Sequence, residues 1–246
     1  MDIDVALVPQ AARPADPAVF IVVDEIRAST TITTLLDIGC SDIYIEGALV
    51  AARRRGRETG SILVGERHLQ RPPGFDFANS PLALARAGVR GRNVVLSTTN
   101  GTAILKMLRG SENVLVGCLR NARACGTVAL RLAEAQGVGI RVVCAGRLRR
   151  FVMEDAVAAG VIVTRIVTAA EARGIETNLT DAARVAVRVR DGYPDTLTAL
   201  LDSDGGRVLR EIGQEEDIPF CAEVDVTDTV PILRDGNPMR IERLKL

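Results

Sequence analysis

The sequence predicts an α/β fold, a three-layer α/β/α arrangement with a mixed, mainly parallel sheet and a helical C-terminal portion. Short apolar runs alternate along the chain with segments of helical periodicity, which is typical of βαβ units. The run 19–23 (VFIVV) has no polar alternation, so it predicts a strand covered on both faces. The chain has 246 residues, 47% of them hydrophobic, which suffices for one large core. We therefore expect a single domain over residues 1–246.

The first two thirds of the chain contain the strand and helix patterns in alternation. Strands are expected at 5–8, 19–23, 42–45, 62–64, 94–97, 114–117 and 140–144. Helices are expected at about 29–38, 47–58, 100–109, 121–136 and 153–173. Residues 175–212 look wholly helical and predict a helical cap on the sheet, whereas the tail, 218–233, has β character and is expected to add strands at a sheet edge. The sequence shows no internal repeat and no linker.

Composition excludes several classes of protein. Lys plus Arg equals Asp plus Glu, at 31 each, and aromatic residues are only 3% of the chain, so neither nucleic acid nor a membrane surface is an expected partner. Five scattered cysteines without CxxC pairs argue against a disulfide framework or a zinc site, and no apolar run approaches membrane-spanning length. The single histidine, His68, excludes most His-based catalytic triads. We expect a cytoplasmic protein whose catalysis rests on carboxylates, hydroxyls, Arg or Cys.

The segment 21–33 (IVVDEIRASTTIT) is the strongest functional signal. A buried strand ends at Asp24 and passes through Arg27, Ser29 and Thr30 into a helix. The free N–H groups of a helix N-terminus attract anions, Ser29 or Thr30 can serve as the N-cap, and an arginine can grip phosphate oxygens bidentately. The segment therefore predicts an anion site, most simply for phosphate. The structural alternative is a capped helix with an Asp24–Arg27 salt bridge.

Further polar groups follow other predicted strands. The loop 65–81 contains Glu66, Arg67, Asn79 and Ser80 among prolines and glycines, and loops of this length are commonly functional. The segment 97–102 (STTNGT) and the segment 142–155 (VVCAGRLRRFVMED) repeat the passage from strand to helix. Glu154 and Asp155 open the last of these helices, where only one of two adjacent side chains is expected to face a ligand. We expect these strand ends to converge on one rim of a parallel sheet.

At these residues the chain resembles the 2-phosphosulfolactate phosphatases, a family of magnesium-dependent acid phosphatases associated with coenzyme M and sulfolactate biosynthesis. The resemblance rests on DEIRAST (24–30), GER (65–67), GFDFANSP (74–81), TTNGT (98–102), the later Asn121, and CAG (144–146) followed by ED (154–155). It continues through 203–209 and EEDIPFCAEVD (215–225). The chain departs from the family pattern at Glu25, at 148–150 and at 152–153, all beside the expected site.

The resemblance implies hydrolysis of a phosphate monoester on a small sulfonated hydroxy acid, with Mg²⁺ as cofactor. The expected catalytic residues are Asp24, Arg27, Glu66 and Asp155, and the candidate metal ligands are Asp24, Glu66, Glu154 and Asp155, with Asp225 in reserve. The expected substrate-binding residues are Ser29, Thr30, Arg67, Asn79, Ser80, Thr99, Asn100, Gly101, Thr102, Asn121 and Arg147. Arg67 and Arg147 would pair with the sulfonate and carboxylate of the substrate.

Three alternatives remain open from the residues alone. The run 144–150 (CAGRLRR) formally matches the C-x5-R pattern of cysteine phosphatases, so Cys144 is an alternative nucleophile to water or Asp24. A lyase that eliminates phosphate would use a base such as Glu66 to abstract a carbon-bound proton. A non-catalytic protein would bind the phosphate ester without turnover. A homodimer is expected on general grounds, because twofold assemblies are the commonest.

Overall fold

The computed structural model describes residues 1–245 and contains the alternation that the sequence predicts. The strands are β1 (Asp2–Ala6), β2 (Ala18–Val23), β3 (Ile43–Ile45), β4 (Ile62–Gly65), β5 (Phe77–Ala78), β6 (Val94–Ser97), β7 (Asn113–Val116), β8 (Gly139–Cys144), β9 (Asn178–Leu179), β10 (Pro231–Arg234) and β11 (Arg240–Arg243). The helices are α1 (Ala28–Asp37), α2 (Leu49–Thr59), α3 (Pro81–Ala85), α4 (Gly101–Met107), α5 (Ala122–Gln136), α6 (Met153–Glu171), α7 (Asp181–Asp191), α8 (Thr196–Asp202), α9 (Asp204–Glu211) and α10 (Asp217–Cys221). No helix within 1–245 has the length and apolarity needed to cross a membrane.

All strands belong to one sheet in the order β5-β4-β6-β3-β11-β10-β7-β2-β8-β1-β9. Strands β3 to β6 pair in parallel, as do β1, β2, β7, β8 and β9. The antiparallel hairpin β10–β11 joins the two parallel groups at the centre. The prediction that the tail adds strands at an edge is therefore wrong. Ile232 and Ile241 are buried, and only a central position covers both faces of this hairpin.

The three antiparallel steps at the centre make the two parallel groups run in opposite senses. Five strand-to-strand steps separate β2 from β6, so a flat sheet would hold them about 24 Å apart. Nevertheless, a Cβ built on Gly101, just after β6, would lie 2.9 Å from Asp24 Oδ2, just after β2. The sheet is thus strongly curved, and a twist of about 20–25° per step turns the ends of both groups toward each other. The strand ends converge as expected, but not on one rim of a single parallel sheet.

The strand order also shows an approximate twofold relation. Read outward from the central hairpin, β10-β7-β2-β8-β1 corresponds to β11-β3-β6-β4-β5. In this correspondence, helix α1 after β2 matches α4 after β6, and the tight turn 147–150 after β8 matches the turn 67–70 after β4. The two halves share no recognisable sequence repeat, so the sequence did not predict this relation.

Helices cover both faces of the sheet. On one face, α5, α6 and α7 pack against Ile21 and Val23 of β2, and on the other, α1 and α4 pack against Phe20 and Val22. Alternate residues of β2 thus lie in different cores, which confirms the prediction of a strand covered on both faces. On the far half of the sheet, α2 packs with Val95 and Phe75.

Two segments differ from the expected elements. Residues 175–212 are not wholly helical, because Asn178–Leu179 pairs with β1 and Thr180 then caps α7. Most of the remaining segment forms the helices α7, α8 and α9, and α9 lines the pocket at the strand ends, where a helical cap was expected. Residues 218–233 are extended only from Pro231, since the helix α10 occupies the start of the segment.

Candidate active site

The loop after β2 is organised around Asp24. The hydroxyl of Ser29 accepts the Asp24 N–H at 2.8 Å, and Asp24 Oδ1 accepts the Ala28 N–H at 3.3 Å. Helix α1 begins at Ala28, so Ser29 and Thr30 lie within its first turn and neither is the N-cap, contrary to expectation. The Thr30 hydroxyl donates to Glu25 instead. Both hydroxyls therefore hold the loop in place.

Asp24 is almost completely buried, with 8% of its surface exposed. The pKa of its carboxyl is raised to about 7, mainly by burial and then by the negative charges of Glu66 and Glu154, against hydrogen bonds from Ala28 and Gly101. A Cβ on Gly101 would lie 2.8 Å from Ala28 Cβ as well as 2.9 Å from Asp24 Oδ2. The TTNGT loop can therefore approach Asp24 only because residue 101 is glycine.

Glu66 connects two loops through its carboxylate. Its Oε1 accepts the Thr99 N–H at 2.6 Å, and its Oε2 accepts the Leu69 N–H at 3.1 Å. Thr98 and Thr102 cap the same TTNGT loop by hydrogen bonds between their own hydroxyls and backbone. Both oxygens of Glu66 are thus occupied by backbone donors, and this residue fixes the position of the loop that carries Asn100.

Glu154 and Asp155 lie in the first turn of α6, and both reach the same pocket, although we expected only one to do so. Asp155 accepts the N–H groups of Glu25 and Gly146, each at 2.8 Å, so it ties β2 to β8. Glu154 Oε2 is buried and has no hydrogen-bond partner within residues 1–245. Burial raises the pKa of both carboxyls, and the neighbouring Asp24 raises that of Asp155 further. Glu154 therefore has a buried oxygen that can bind a ligand in the pocket.

The pocket is small and closed by helix α9. It has a volume of about 40 Å³ and is lined by Asp24, Ile26, Leu69, Asn100, Gly146, Arg147, Val152, Glu154, Asp155, Gly205, Val208 and Leu209. A Cβ on Gly205 would overlap Glu154 Oε1, so this glycine lets α9 cover the carboxyl group. Arg147 is the cation of the lining, and its charge lowers the pKa of Glu154 against the effect of burial.

Five of the expected site residues line this pocket, namely Asp24, Asn100, Arg147, Glu154 and Asp155. Four others adjoin it through direct contacts with those residues or their loops, namely Ser29, Glu66, Thr99 and Gly101. Thr30 and Thr102 are one step further out, because their hydroxyls hold backbone groups of the same loops.

The remaining expected residues make structural contacts instead. Arg67 donates to the carbonyls of Gly47, Glu66 and Ser97 and to the Ser97 hydroxyl. Asn121 accepts the Cys118 N–H through its Oδ1 and donates from its Nδ2 to the carbonyls of Val116 and Thr229. Asp225, the reserve ligand, accepts from Arg165 at 2.7 Å. Neutral carbonyls and phosphate oxygens are both acceptors for an arginine, so residue type alone does not distinguish these two uses.

Arg27 forms a buried ion pair that the sequence did not predict. Its Nη1 lies 2.6 Å from Asp217 Oδ2 and 2.6 Å from Gln214 Oε1, whereas its Nη2 is buried without a partner in the described residues. The other Asp217 oxygen accepts the Ser80 hydroxyl, which also caps α3. Asn79, next to it, has a buried Oδ1 that no donor in residues 1–245 reaches. The alternative Asp24–Arg27 salt bridge is absent from residues 1–245.

Sequence reasoning missed Asp217 and Gly205 as site residues. The pair Gly205-Gly206 was a possible signal, because each glycine in a helix costs about 1 kcal/mol relative to alanine and so needs a packing reason. Asp217 gave no comparable signal, since it lies 190 residues from its partner.

Cys144 does not have the environment of a nucleophile. Its side chain is 1% exposed, and burial together with the Asp155 charge raises the pKa of the thiol well above its ordinary value. A reactive cysteine needs cationic neighbours and access to the substrate. Cys144 is therefore a packed residue at the end of β8.

Comparisons with known proteins agree with the geometry. Residues 5–236 match the family model of 2-phosphosulpholactate phosphatase. Proteins named probable 2-phosphosulfolactate phosphatase are similar over most of their length. The Thermus thermophilus protein is 39% identical over 223 residues, 89% of this chain and 90% of its own. The Thermotoga maritima protein is 33% identical over 235 residues, 95% of this chain and 96% of its own.

An α/β sheet whose strand ends surround a small pocket of carboxyls and one arginine, together with these matches, defines a phosphoric monoester hydrolase. More particularly, the chain belongs to the 2-phosphosulfolactate phosphatase family.

Proposed function

We propose that this protein hydrolyses 2-phosphosulfolactate to 3-sulfolactate and phosphate, with Mg²⁺ as cofactor. The observation that carries the proposal is the combination of Asp24 and Glu154, two buried carboxyls, with Arg147 in one closed pocket. The names of the relatives supply the organic acid. The link to sulfolactate and coenzyme M synthesis, a cytoplasmic location and a homodimer belong to the proposal through the same family.

The pocket residues fit a magnesium ion. Glu154 Oε2 is buried without a hydrogen-bond partner in the described residues, and Asp24 lines the same pocket. Mg²⁺ typically takes one or two carboxylates and completes its shell with waters and substrate phosphate oxygens. Within residues 1–245 no group of three or more His, Cys, Asp and Glu side chains could hold a metal ion, so an ion here would need water and substrate as further ligands. Asp24 and Glu154 would hold the ion directly.

When bound, the cation would neutralise phosphate oxygens and favour the ionised form of the carboxyls. Arg147 would hold an anionic group of the substrate. Asn100 accepts the Leu148 N–H through Oδ1 and so keeps its Nδ2 for donation to the substrate. Asp24, whose pKa is raised to about 7 in the metal-free protein, would be ionised once it holds the cation, so its part would be to position the ion and the phosphate. Asp155 and Glu66 would orient the loops rather than react.

The lyase alternative is less well supported. It needs a free base, but both oxygens of Glu66 accept backbone N–H groups. The binding-protein alternative does not explain why three carboxyls line the pocket, because carboxylates weaken anion binding unless a cation is present.

The test is phosphate release from 2-phosphosulfolactate with Mg²⁺ and with EDTA, with the organic product identified by NMR. We compare wild type with Glu154→Gln and with the control Glu171→Gln, an exposed acid at the other end of the same helix. Magnesium-dependent formation of sulfolactate that only Glu154→Gln abolishes would support the proposal. An unsaturated acid as product would identify a lyase, and binding without turnover would identify a binding protein. Either result would overturn the proposal.

A further inference from the structure

A second, larger cavity adjoins the closed pocket. It has a volume of about 540 Å³, against about 40 Å³ for the pocket itself, and Asn100 lines both. We call it the apolar groove, since its walls are mostly Pro9, Ala103, Ile104, Met107, Ala145 and Leu148. Thr99, Asn100 and Arg149 supply its polar part. Any group in this groove would therefore lie next to the site of phosphoryl transfer.

The turn 147–150 separates the groove from the pocket and is fixed at both sides. The Leu148 N–H donates to Asn100 Oδ1 at 3.2 Å, and Gln10 Nε2 donates to the Arg149 carbonyl at 3.1 Å. Leu148 and Arg149 have φ angles of 49° and 64°, a region that normally selects Gly or Asn in such turns. Such conformations in larger residues store strain and cluster at functional sites. The turn thus holds two large side chains at the groove at an energetic cost.

The exposed surface of the groove is apolar. Leu148 is 71% exposed and Met107 is 37% exposed, and both contribute to its walls. A sulfonate placed there would lose hydration without gaining a hydrogen-bond partner from these side chains. A hydrocarbon group would instead remove apolar surface from water on both sides. Arg147 lines the pocket and Arg149 lines the groove, so each cavity has one cation for an anionic group of the substrate.

We propose that the groove binds an apolar substituent of the substrate, so that this enzyme acts, besides 2-phosphosulfolactate, on phosphate monoesters of 2-hydroxy acids with an aliphatic or aromatic side chain. This inference rests on the proposed function in placing the phosphate in the closed pocket. The reaction is the same hydrolysis: water forms the new P–O bond, the ester P–O bond breaks, and the alkoxide takes up the proton.

The first experiment compares phosphate esters that differ only in their side chain. Wild type is assayed with the 2-phospho derivatives of lactate, 4-methyl-2-hydroxypentanoate and 3-phenyllactate, and with 2-phosphosulfolactate. We expect kcat/KM to be about tenfold or more higher for 2-phospho-3-phenyllactate, with its benzyl side chain, than for 2-phospholactate, with its methyl side chain. Leu148→Asn, which suits the turn but removes the apolar surface, should reverse most of that gain and lower phospholactate hydrolysis by a much smaller factor. Val185→Asn, at a 47% exposed position on α7, is the matched control.

Equal kcat/KM values for 2-phospholactate and 2-phospho-3-phenyllactate, or an equal effect of Leu148→Asn on both values, would overturn the inference. A second measurement separates it from the proposed function. Calorimetry with the phosphonate analogues, in which CH₂ replaces the ester oxygen, needs no turnover. Tighter binding of the benzyl analogue that Leu148→Asn abolishes would support the groove even if 2-phosphosulfolactate were not a substrate. If 2-phosphosulfolactate is hydrolysed but the analogue with the benzyl side chain binds no more tightly than the one with methyl, the inference about the groove is wrong and the proposed function stands.

Discussion

Replacing Asp24 by Asn should stabilise the metal-free protein at pH 8 while it abolishes phosphate release. Asp24 is buried, and its pKa rises from an ordinary value of 3.8 to about 7, mainly through burial and then through the charges of Glu66 and Glu154. Asn has the same shape, and its Oδ1 can still accept the Ala28 N–H. The variant therefore removes the buried charge and keeps the hydrogen bond from Ala28, while the Gly101 N–H loses its carboxylate acceptor.

The direction in which stability changes with pH follows from proton binding. The folded state holds the Asp24 proton more tightly than the unfolded state, so the contribution of this group to stability is complete below about pH 4 and declines until about pH 7. One unit of pKa corresponds to about 1.4 kcal/mol, so wild type should lose about 2 to 3 kcal/mol from this group between pH 5 and pH 8. Asn at position 24 has no such loss. The stability difference between variant and wild type should grow in its favour by the same amount.

Urea unfolding in EDTA at pH 5, 6, 7 and 8 measures this difference on wild type, Asp24→Asn and the control Glu171→Gln. The denaturant dependence of the free energy should be the same in all three, so that midpoints can be compared. A difference between Asp24→Asn and wild type that does not change with pH would show that Asp24 is not buried as a charged group. A variant that loses stability relative to wild type at pH 8 would refute the reasoning altogether.

Three further substitutions test other parts of the site. Gly101→Ala should lower kcat about tenfold or more, because its Cβ would displace Asp24, and steady-state kinetics at saturating Mg²⁺ checks this. Arg27→Met should cost about 3–5 kcal/mol in urea unfolding because it leaves Asp217 as an unpaired buried charge, whereas the double substitution Arg27→Met, Asp217→Leu should cost less. Cys144→Ala should leave phosphate release unchanged, and a complete loss of activity in a folded variant would restore the thiol as nucleophile.

The sequence predicted the secondary structure well where apolar runs were long. The predicted strand 94–97 and the predicted start of the helix at 153 agree with the structure, because a buried strand and a long apolar helix with two acids in its first turn each leave a local pattern. The two-residue strands Phe77–Ala78 and Asn178–Leu179 leave no such pattern, since pairing with a neighbour alone defines them. Helix α3, with five residues, is too short for its periodicity to be recognised.

The candidate site was predictable to the extent that its residues follow strands. Asp24, Asn100 and Glu154 meet because each lies just beyond a strand end or in the first turn of the next helix. The partners of Arg27 and Arg67 were not predictable, because a guanidinium donates equally well to a phosphate, a carboxylate or a carbonyl. Only the fold decides which of these acceptors lies within reach.

The central hairpin explains why the two polar loops form one site. Each strand of the hairpin has four residues, and on sequence alone such short strands resemble sheet edges. Inserted between β3 and β7, they reverse the direction of half the sheet, and the accumulated twist then brings the TTNGT loop against the DEIRAST loop. Residues 231–243 do not line the pocket, but their place in the sheet sets the directions of the strands whose ends form it. The two strand-to-helix passages, which the sequence presents as separate candidate anion sites, therefore contribute to one pocket.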